Sequence, residues 1–101
     1  MIVVRNVFQI EFGKAKDAVA LWKEGIEIAR RGGHLGRDAR LLTDLAGPEF
    51  YTLVLESTFE SMGEFETLSR KVMDDPAWRA WYPKVAALTR GGRREILNIA
   101  S

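Results

Sequence analysis

The chain has 101 residues, with 15 Lys and Arg against 14 Asp and Glu, 47% hydrophobic residues, no cysteine and one histidine, His34. The length fits one domain covering 1–101, and the apolar content is too high for disorder. A net charge of +1 removes the general electrostatic case for nucleic-acid or membrane partners, and the missing cysteines exclude disulfides, thiolate metal sites and cysteine nucleophiles.

A single histidine cannot form a multi-histidine zinc site, so no metal is expected. The apolar start Ile2-Val3-Val4 is interrupted by Arg5 and Asn6, which leaves it too short for a signal h-region or a membrane span. A cytoplasmic location is the default expectation.

Residues 2–12 read as a strand rich in β-branched and aromatic residues, with Phe8, Ile10 and Phe12 on one face and Gln9 and Glu11 on the other. Gly13-Lys14 marks a turn. Residues 15–31 read as a helix, because Ala15, Ala18, Val19, Trp22, Ile26 and Ala29 recur at steps of three and four. Arg30 and Arg31 suit its C-terminal end, and Gly32 or Gly33 can supply the left-handed cap.

Residues 37–45 and 50–59 read as two more strands, joined through the turn residues Ala46-Gly47-Pro48-Glu49 as an antiparallel hairpin. Ser61 opens a helix, with Glu64 at the capping-box spacing and Met62, Phe65, Leu68 and Val72 as the apolar stripe. Asp74 or Asp75 caps a following helix that begins at Pro76. Trp78, Trp81, Val85 and Leu88 lie on one side of it. Pro83 is expected to kink or divide it, and Arg90-Gly91-Gly92 to stop it. Residues 93–100 read as the last strand.

The order strand, helix, strand, strand, helix in two pieces, strand is the ferredoxin-like βαββαβ plan, an α+β fold. It places helices on one face of a four-stranded antiparallel sheet. Val4, Asn6, Phe8, Ile10 and Phe12 face those helices, opposite Tyr51, Leu53, Leu55, Ser57 and Phe59. The other face keeps Val3, Val7, Thr52 and Val54 among Arg5, Gln9, Glu11 and Glu56. That mixture is too apolar for ordinary solvent, and a second copy covering it, a homodimer, is the simplest expectation.

These residues resemble the dimeric α+β barrel superfamily, which includes antibiotic-biosynthesis monooxygenase-like and NIPSNAP-like small proteins and heme-degrading monooxygenases. The resemblance rests on element order across nearly the whole chain. Locally it rests on Asn6-Val7-Phe8-Gln9-Ile10-Glu11-Phe12-Gly13, on Phe59-Glu60-Ser61 with Phe65, and on Asp75-Pro76-Ala77-Trp78. The heme-degrading branch carries an Asn on its first strand, a Trp at the end of its third and a His on the later helix. Asn6 matches the first. Phe59 stands in the second place and Trp81, or Tyr82 after a shift, near the third. The iron ligand is therefore missing, which argues against heme degradation. The quinone-forming monooxygenases of the superfamily use no cofactor, and none is expected here.

Asn6 lies among apolar residues on the helix side, as an amide either offered to a ligand oxygen or satisfied by neighbouring backbone or water. Trp22, Trp78, Trp81 and Tyr82 either line a cleft for a flat apolar ligand or fill core and dimer interface; Tyr51 and Phe59 border the same space. His34, between Gly32-Gly33 and Gly36, is a possible general base, but a solvent-exposed loop position is the favoured reading. No phosphate-binding glycine spacing is present.

Arg90-Gly91-Gly92-Arg93-Arg94 reads as a helix stop and a solvated strand start rather than an RNA patch, and Asp74-Asp75 as a cap rather than a cation site. The functional expectation is a small-molecule-binding protein, with a cofactor-independent monooxygenase-like enzyme acting on an aromatic or polyketide-like substrate as its sharper form. Asn6 and His34 are then the catalytic candidates. The alternative is a non-catalytic ligand-binding or protein-interaction module of the same fold.

Overall fold

The computed structural model describes residues 1–101. Strand β1 (Ile2–Ile10) leads into helix α1 (Ala15–Gly32), the hairpin β2 (Arg37–Thr43) and β3 (Thr52–Phe59), helices α2 (Met62–Asp74) and α3 (Pro76–Ala86), and strand β4 (Thr89–Asn98). The strands form one sheet in the order β2-β3-β1-β4, with every neighbouring pair antiparallel. This is the ferredoxin-like βαββαβ plan, with its second helical segment in two pieces.

The helix ends follow local chemistry. Gly33 adopts φ 72°, the left-handed C-terminal conformation, and its N–H reaches back to the carbonyls of Ala29 and Arg30. Ser61 Oγ accepts the Glu64 N–H at 3.2 Å, while the Glu64 carboxylate accepts the Glu60 N–H at 2.9 Å. This is a capping box displaced by one residue. Of the two adjacent aspartates, Asp75 is the cap of α3, its Oδ1 accepting the Ala77 N–H at 2.9 Å. Pro83 does not divide α3, which continues to Ala86. The proline lies in the last turn, and the Ala87 N–H still reaches its carbonyl at 3.1 Å.

Several strand ends differ from expectation. β1 stops at Ile10 because the chain is already turning at Glu11, whose carbonyl accepts the Lys14 N–H at 3.0 Å. Phe12 is therefore outside the sheet and 79% exposed, rather than a core residue. β2 and β3 are shorter than expected because Asp44 Oδ1 caps the Thr52 N–H at 2.8 Å and Tyr51 takes a positive φ of 56°. β4 starts at Thr89, so Gly91 and Gly92 pair with Gln9 and Phe8 instead of ending a helix. A Cβ on Gly92 would come within 2.9 Å of the Phe8 ring and 3.0 Å of the Val7 carbonyl, so the close approach of β4 needs glycine. Ile99 falls beyond the strand.

Helices cover one face only, and the molecule is a slab measuring 36 × 35 × 18 Å. On that face Ile10, Leu53, Ala18, Trp22, Trp81 and Val85 form the main core, and Ile2, Val4 and Phe59 a smaller one beside α2. Gly25 lets α3 sit close to α1. A Cβ there would lie 2.4 Å from the Trp81 ring.

The uncovered face carries Val7 opposite Val54, Val3 opposite Leu97, and Leu42 opposite Val54. Across it runs a row of alternating charges: Arg40 to Glu56 at 2.7 Å, Glu56 to Arg5 at 2.5 Å, Arg5 to Glu95 at 3.2 Å and Glu95 to Arg93 at 3.2 Å. The bond from Arg40, then that from Arg5, holds the Glu56 carboxyl below the usual carboxylate range. No helix is long and apolar enough to cross a membrane.

The packing at Gly25 reverses an ordinary helix rule. Gly→Ala in an exposed helix interior gains up to about 1 kcal/mol. Here the added methyl overpacks the core, and Gly25→Ala is expected to cost about 1–3 kcal/mol. Gly63→Ala, in the first turn of α2 with nothing nearer than Ser61 Oγ at 3.7 Å, is expected to be neutral or stabilising. Urea unfolding of the two variants checks both signs.

Candidate functional site

An open cavity of about 1020 Å³ lies between the helix-bearing face of the sheet and the helices. Strand alternation brings Asn6 and Phe8 of β1 and Leu55, Ser57 and Phe59 of β3 to it. α1 adds Trp22, Ile26 and Ala29, and α2 adds Leu68, Val72 and Met73. α3 contributes Trp78 and Tyr82, and the first residues of β4 form one edge.

The aromatic residues form a continuous series from the sheet to the helices. Trp22 stacks on Phe8 with centroids 5.2 Å apart and an interplanar angle of 19°. Its other contacts are edge-on, to Trp81 at 4.9 Å and to Trp78 at 6.1 Å. These offset geometries suit rings with negative faces and positive edges.

Trp81 is only 2% exposed and does not line the cavity, which corrects the expectation that it would. Its indole Nε1–H donates to the Leu21 carbonyl at 2.9 Å, and its ring lies over Gly25. Trp81 is core. Its neighbour Tyr82 points away from that core, half exposed, at the cavity.

Tyr51 is also absent from the cavity. Its positive φ takes it off β3, and its ring meets Phe12 at 4.7 Å beside a separate shallow depression. Asn6, Trp22, Phe59, Trp78, Tyr82 and His34 are the sequence-selected residues that come together.

Asn6 is placed opposite Leu55 and Arg94 in the sheet register. Its Oδ1 accepts the Nε–H of Arg94 at 2.7 Å. A side chain, not backbone or water, thus satisfies the amide oxygen. The amide –NH₂ is the group Asn6 has left to offer.

His34 overturns the reading of an exposed loop. It is 4% exposed, held edge-on to Trp78 at a centroid distance of 5.9 Å. Its Nε2 lies 2.9 Å from Asp75 Oδ2. The glycine-rich connection was the misleading signal: Gly33 caps α1, and Gly32 and Gly36 serve close packing rather than exposure. A Cβ on Gly32 would lie 2.7 Å from both Asp75 Oδ2 and His34 Cδ2, and a Cβ on Gly36 2.7 Å from the Phe59 ring.

The bond from His34, followed by the backbone N–H groups of Ala77 and Trp78, holds the Asp75 carboxyl below the usual carboxylate range. An ionised carboxylate only accepts, so Nε2 carries the proton and donates it. In the neutral ring this leaves the lone pair on Nδ1. Such an arrangement, a carboxylate fixing the tautomer of an imidazole, is the orienting half of a general-base device.

Two residues that line the cavity carry a buried ring nitrogen with no hydrogen-bond partner within the protein: Trp22 Nε1 and His34 Nδ1. An unpaired buried polar group costs about 1–3 kcal/mol, and native structures seldom keep two without a purpose. Ser57 and Gly25 also border the cavity and were not singled out from the sequence. Strand parity alone was enough to find Ser57. Nothing in the spacing distinguished Gly25 from an ordinary helical glycine.

No protein-family model and no curated protein sequence matches the chain. Solved structures do. A NIPSNAP family protein of unknown function from Agrobacterium tumefaciens is 24% identical, with a TM-score of 0.89 covering 99% of this chain and 88% of that one. An uncharacterised NIPSNAP domain protein from Burkholderia xenovorans is 19% identical, with a TM-score of 0.85 covering 100% and 96%. An antibiotic biosynthesis monooxygenase is 16% identical, with a TM-score of 0.73 covering 100% of both chains. At these identities the likeness is one of backbone: the chain has the ferredoxin-like α+β fold shared by NIPSNAP domain proteins and antibiotic biosynthesis monooxygenase-like proteins.

Proposed function

We propose that the chain binds a flat, largely apolar small molecule in the cavity between sheet and helices, and does so as a homodimer. The cavity itself carries this reading. It has about 1020 Å³ of space, an aromatic wall formed by Phe8, Trp22 and Trp78, and two lining residues, Trp22 and His34, whose buried ring nitrogens lack a partner. A site that is mostly apolar with a few convergent polar groups is what a small-molecule ligand requires.

A second reading makes the protein a cofactor-independent oxygenase-like enzyme acting on an aromatic or polyketide-like substrate. The His34–Asp75 pair favours it over a purely non-catalytic binder. Oriented by Asp75, His34 would take a proton from an acidic O–H or C–H of the ligand. The deprotonated ligand, not the protein, would then supply electrons to dioxygen. This chemistry needs a base, a dry cavity and an electron-rich substrate, and no metal ligand. The fold neighbour described as an antibiotic biosynthesis monooxygenase adds support by analogy.

The dimer reading rests on the uncovered face. It presents Val3, Leu42 and Leu97 around the charge row from Arg40 to Arg93, whose members already pair within one copy. Every charge in the row has an opposite partner, so the row can be covered without leaving one unpaired. Two sheets packed face to face would bury it.

Native mass spectrometry of freshly purified protein is expected to show a small molecule retained at one per chain. An oxygen electrode with a panel of phenols, anthrones and hydroquinones is expected to register uptake that His34→Gln lowers at least about tenfold, the scale of general-base loss. Uptake unaffected by that change leaves His34 as a structural residue. Sedimentation at micromolar concentration is expected to give a dimer. Leu97→Glu, at a half-exposed position on the uncovered face, is expected to give a folded monomer.

The Asp75 shift sets a pH prediction. The folded carboxyl titrates below its unfolded value of about 3.9, so its contribution to stability is complete above that pH and lost as pH falls through the folded value. Asp75→Asn can keep the helix cap but not the titration. Thermal unfolding should show the gap between wild type and Asp75→Asn narrowing as pH falls below about 4. A gap that stays unchanged as pH falls from about 4 to about 2 would show that the Asp75 carboxyl is not held as described.

A further inference from the structure

We infer that the cavity takes an anion: a ligand with an oxyanion at one end of a flat apolar body, its charge held at the β4 edge by Arg94 and Arg90. This rests on the cavity reading given above and adds the chemical class of its occupant.

The first support is a local imbalance of charge. The chain as a whole carries only +1. Yet no Asp or Glu lines the cavity, whereas Arg79, Arg90 and Arg94 do, and Arg93 borders it while its side chain joins the uncovered face. Two of these four are already neutralised. Arg79 lies 3.8 Å from Asp74 and Arg93 3.2 Å from Glu95. Arg90 and Arg94 take part in none of the ion pairs of the chain.

The second support is the way Arg94 is held. Its Nε–H is fixed on Asn6 Oδ1 at 2.7 Å, and its guanidinium carbon lies 5.2 Å from the centroid of the Phe65 ring. One donor and one face are thus occupied, and the terminal nitrogens remain. A guanidinium placed in this way presents a fork that fits two oxygens of a carboxylate, and less of its freedom is lost on binding.

The third support is the polarity of the remaining groups. With its oxygen taken by Arg94, Asn6 offers a donor. Trp22 Nε1–H can only donate, and it is buried without a partner. His34 Nδ1 is the one acceptor among these groups. A cavity that offers donors and cations along an aromatic wall selects a ligand rich in acceptors and negative charge over a neutral or cationic one of the same shape.

The test is a matched series on the full-length protein: 2-naphthoate, 2-naphthamide and 2-naphthylmethylammonium, followed by quenching of tryptophan emission. The two indoles at the cavity, Trp22 and Trp78, make the signal local. Naphthoate is expected to bind at least about tenfold more tightly than the amide at low salt, the scale of one charge-assisted contact. The advantage should shrink as ionic strength rises from about 0.05 to 0.5 M. Arg94→Gln should remove most of it, and Arg94→Lys should keep part.

Arg90→Gln disturbs no hydrogen bond of the fold. It is expected to reduce the same advantage even where Arg94→Gln impairs folding. Arg70→Gln, an exposed arginine outside the cavity, is expected to change nothing. Equal binding of acid and amide, or a preference for the ammonium compound, overturns the anion assignment and leaves the cavity reading standing. Binding of none of the three removes the cavity reading, and this inference with it.

Discussion

The contact that the rest of the molecule depends on is the indole of Trp81 against the backbone of α1 at Gly25. It does three things at once. It brings α3 close to α1, since a single methyl on Gly25 would sit 2.4 Å from the ring. It ties the helices together by a hydrogen bond from Trp81 Nε1 to the Leu21 carbonyl at 2.9 Å. It also supports Trp22 from behind at 4.9 Å, and Trp22 in turn stacks on Phe8 of the sheet. Sheet, α1 and α3 are thereby locked through three rings. The adjoining space toward α2 and β4 is not filled by this lock, and there the cavity opens.

The same lock explains why the tryptophans divide into core and cavity wall. Trp78 and Trp81 are three residues apart on one helix, so helical spacing assigns them to one side and cannot separate them. What separates them is Gly25, a residue on another helix. Elements whose signals are local were legible in the sequence. The alternation of β3, the Ser61–Glu64 box and the Asp75-Pro76 helix start all appear where expected, within a residue or two. Elements that depend on a distant partner were not. The start of β4 was hidden because Gly91 and Gly92 resemble a helix stop, and only the approach of Phe8 shows why glycine stands at position 92.

His34 is the clearest case of such hiding. Glycine on both sides suggests an exposed loop, yet the side chain is buried against Trp78 and bonded to Asp75, 41 residues further along the chain. The carboxylate that looked like a simple helix cap has two oxygens and uses both: Oδ1 on the first turn of α3 and Oδ2 on His34. One residue thus fixes the start of a helix and the tautomer of an imidazole. Because the cap is a structural need, the orientation of His34 is inherited from the fold instead of being maintained separately. A partner that is rigid for such reasons orients an imidazole more precisely than one on a free loop.

The distribution of charge follows from the same architecture. Carboxylates are drawn to places where the fold offers a guanidinium or an imidazole N–H. Glu56 and Glu95 are held by Arg40, Arg5 and Arg93 on the uncovered face, Glu27 by Arg30 and Arg31 on α1, and Asp75 by His34. Each of these four acids has its carboxyl pushed below the ordinary range by its partner. The acids are thereby committed elsewhere, and none reaches the cavity. Strand parity completes the separation. Glu95 and Arg94 are neighbours in β4 and must point to opposite faces, so the same one-residue step that places an acid on the uncovered sheet places an unpaired guanidinium over the cavity. A nearly neutral chain can in this way keep one cationic site without a basic composition to announce it.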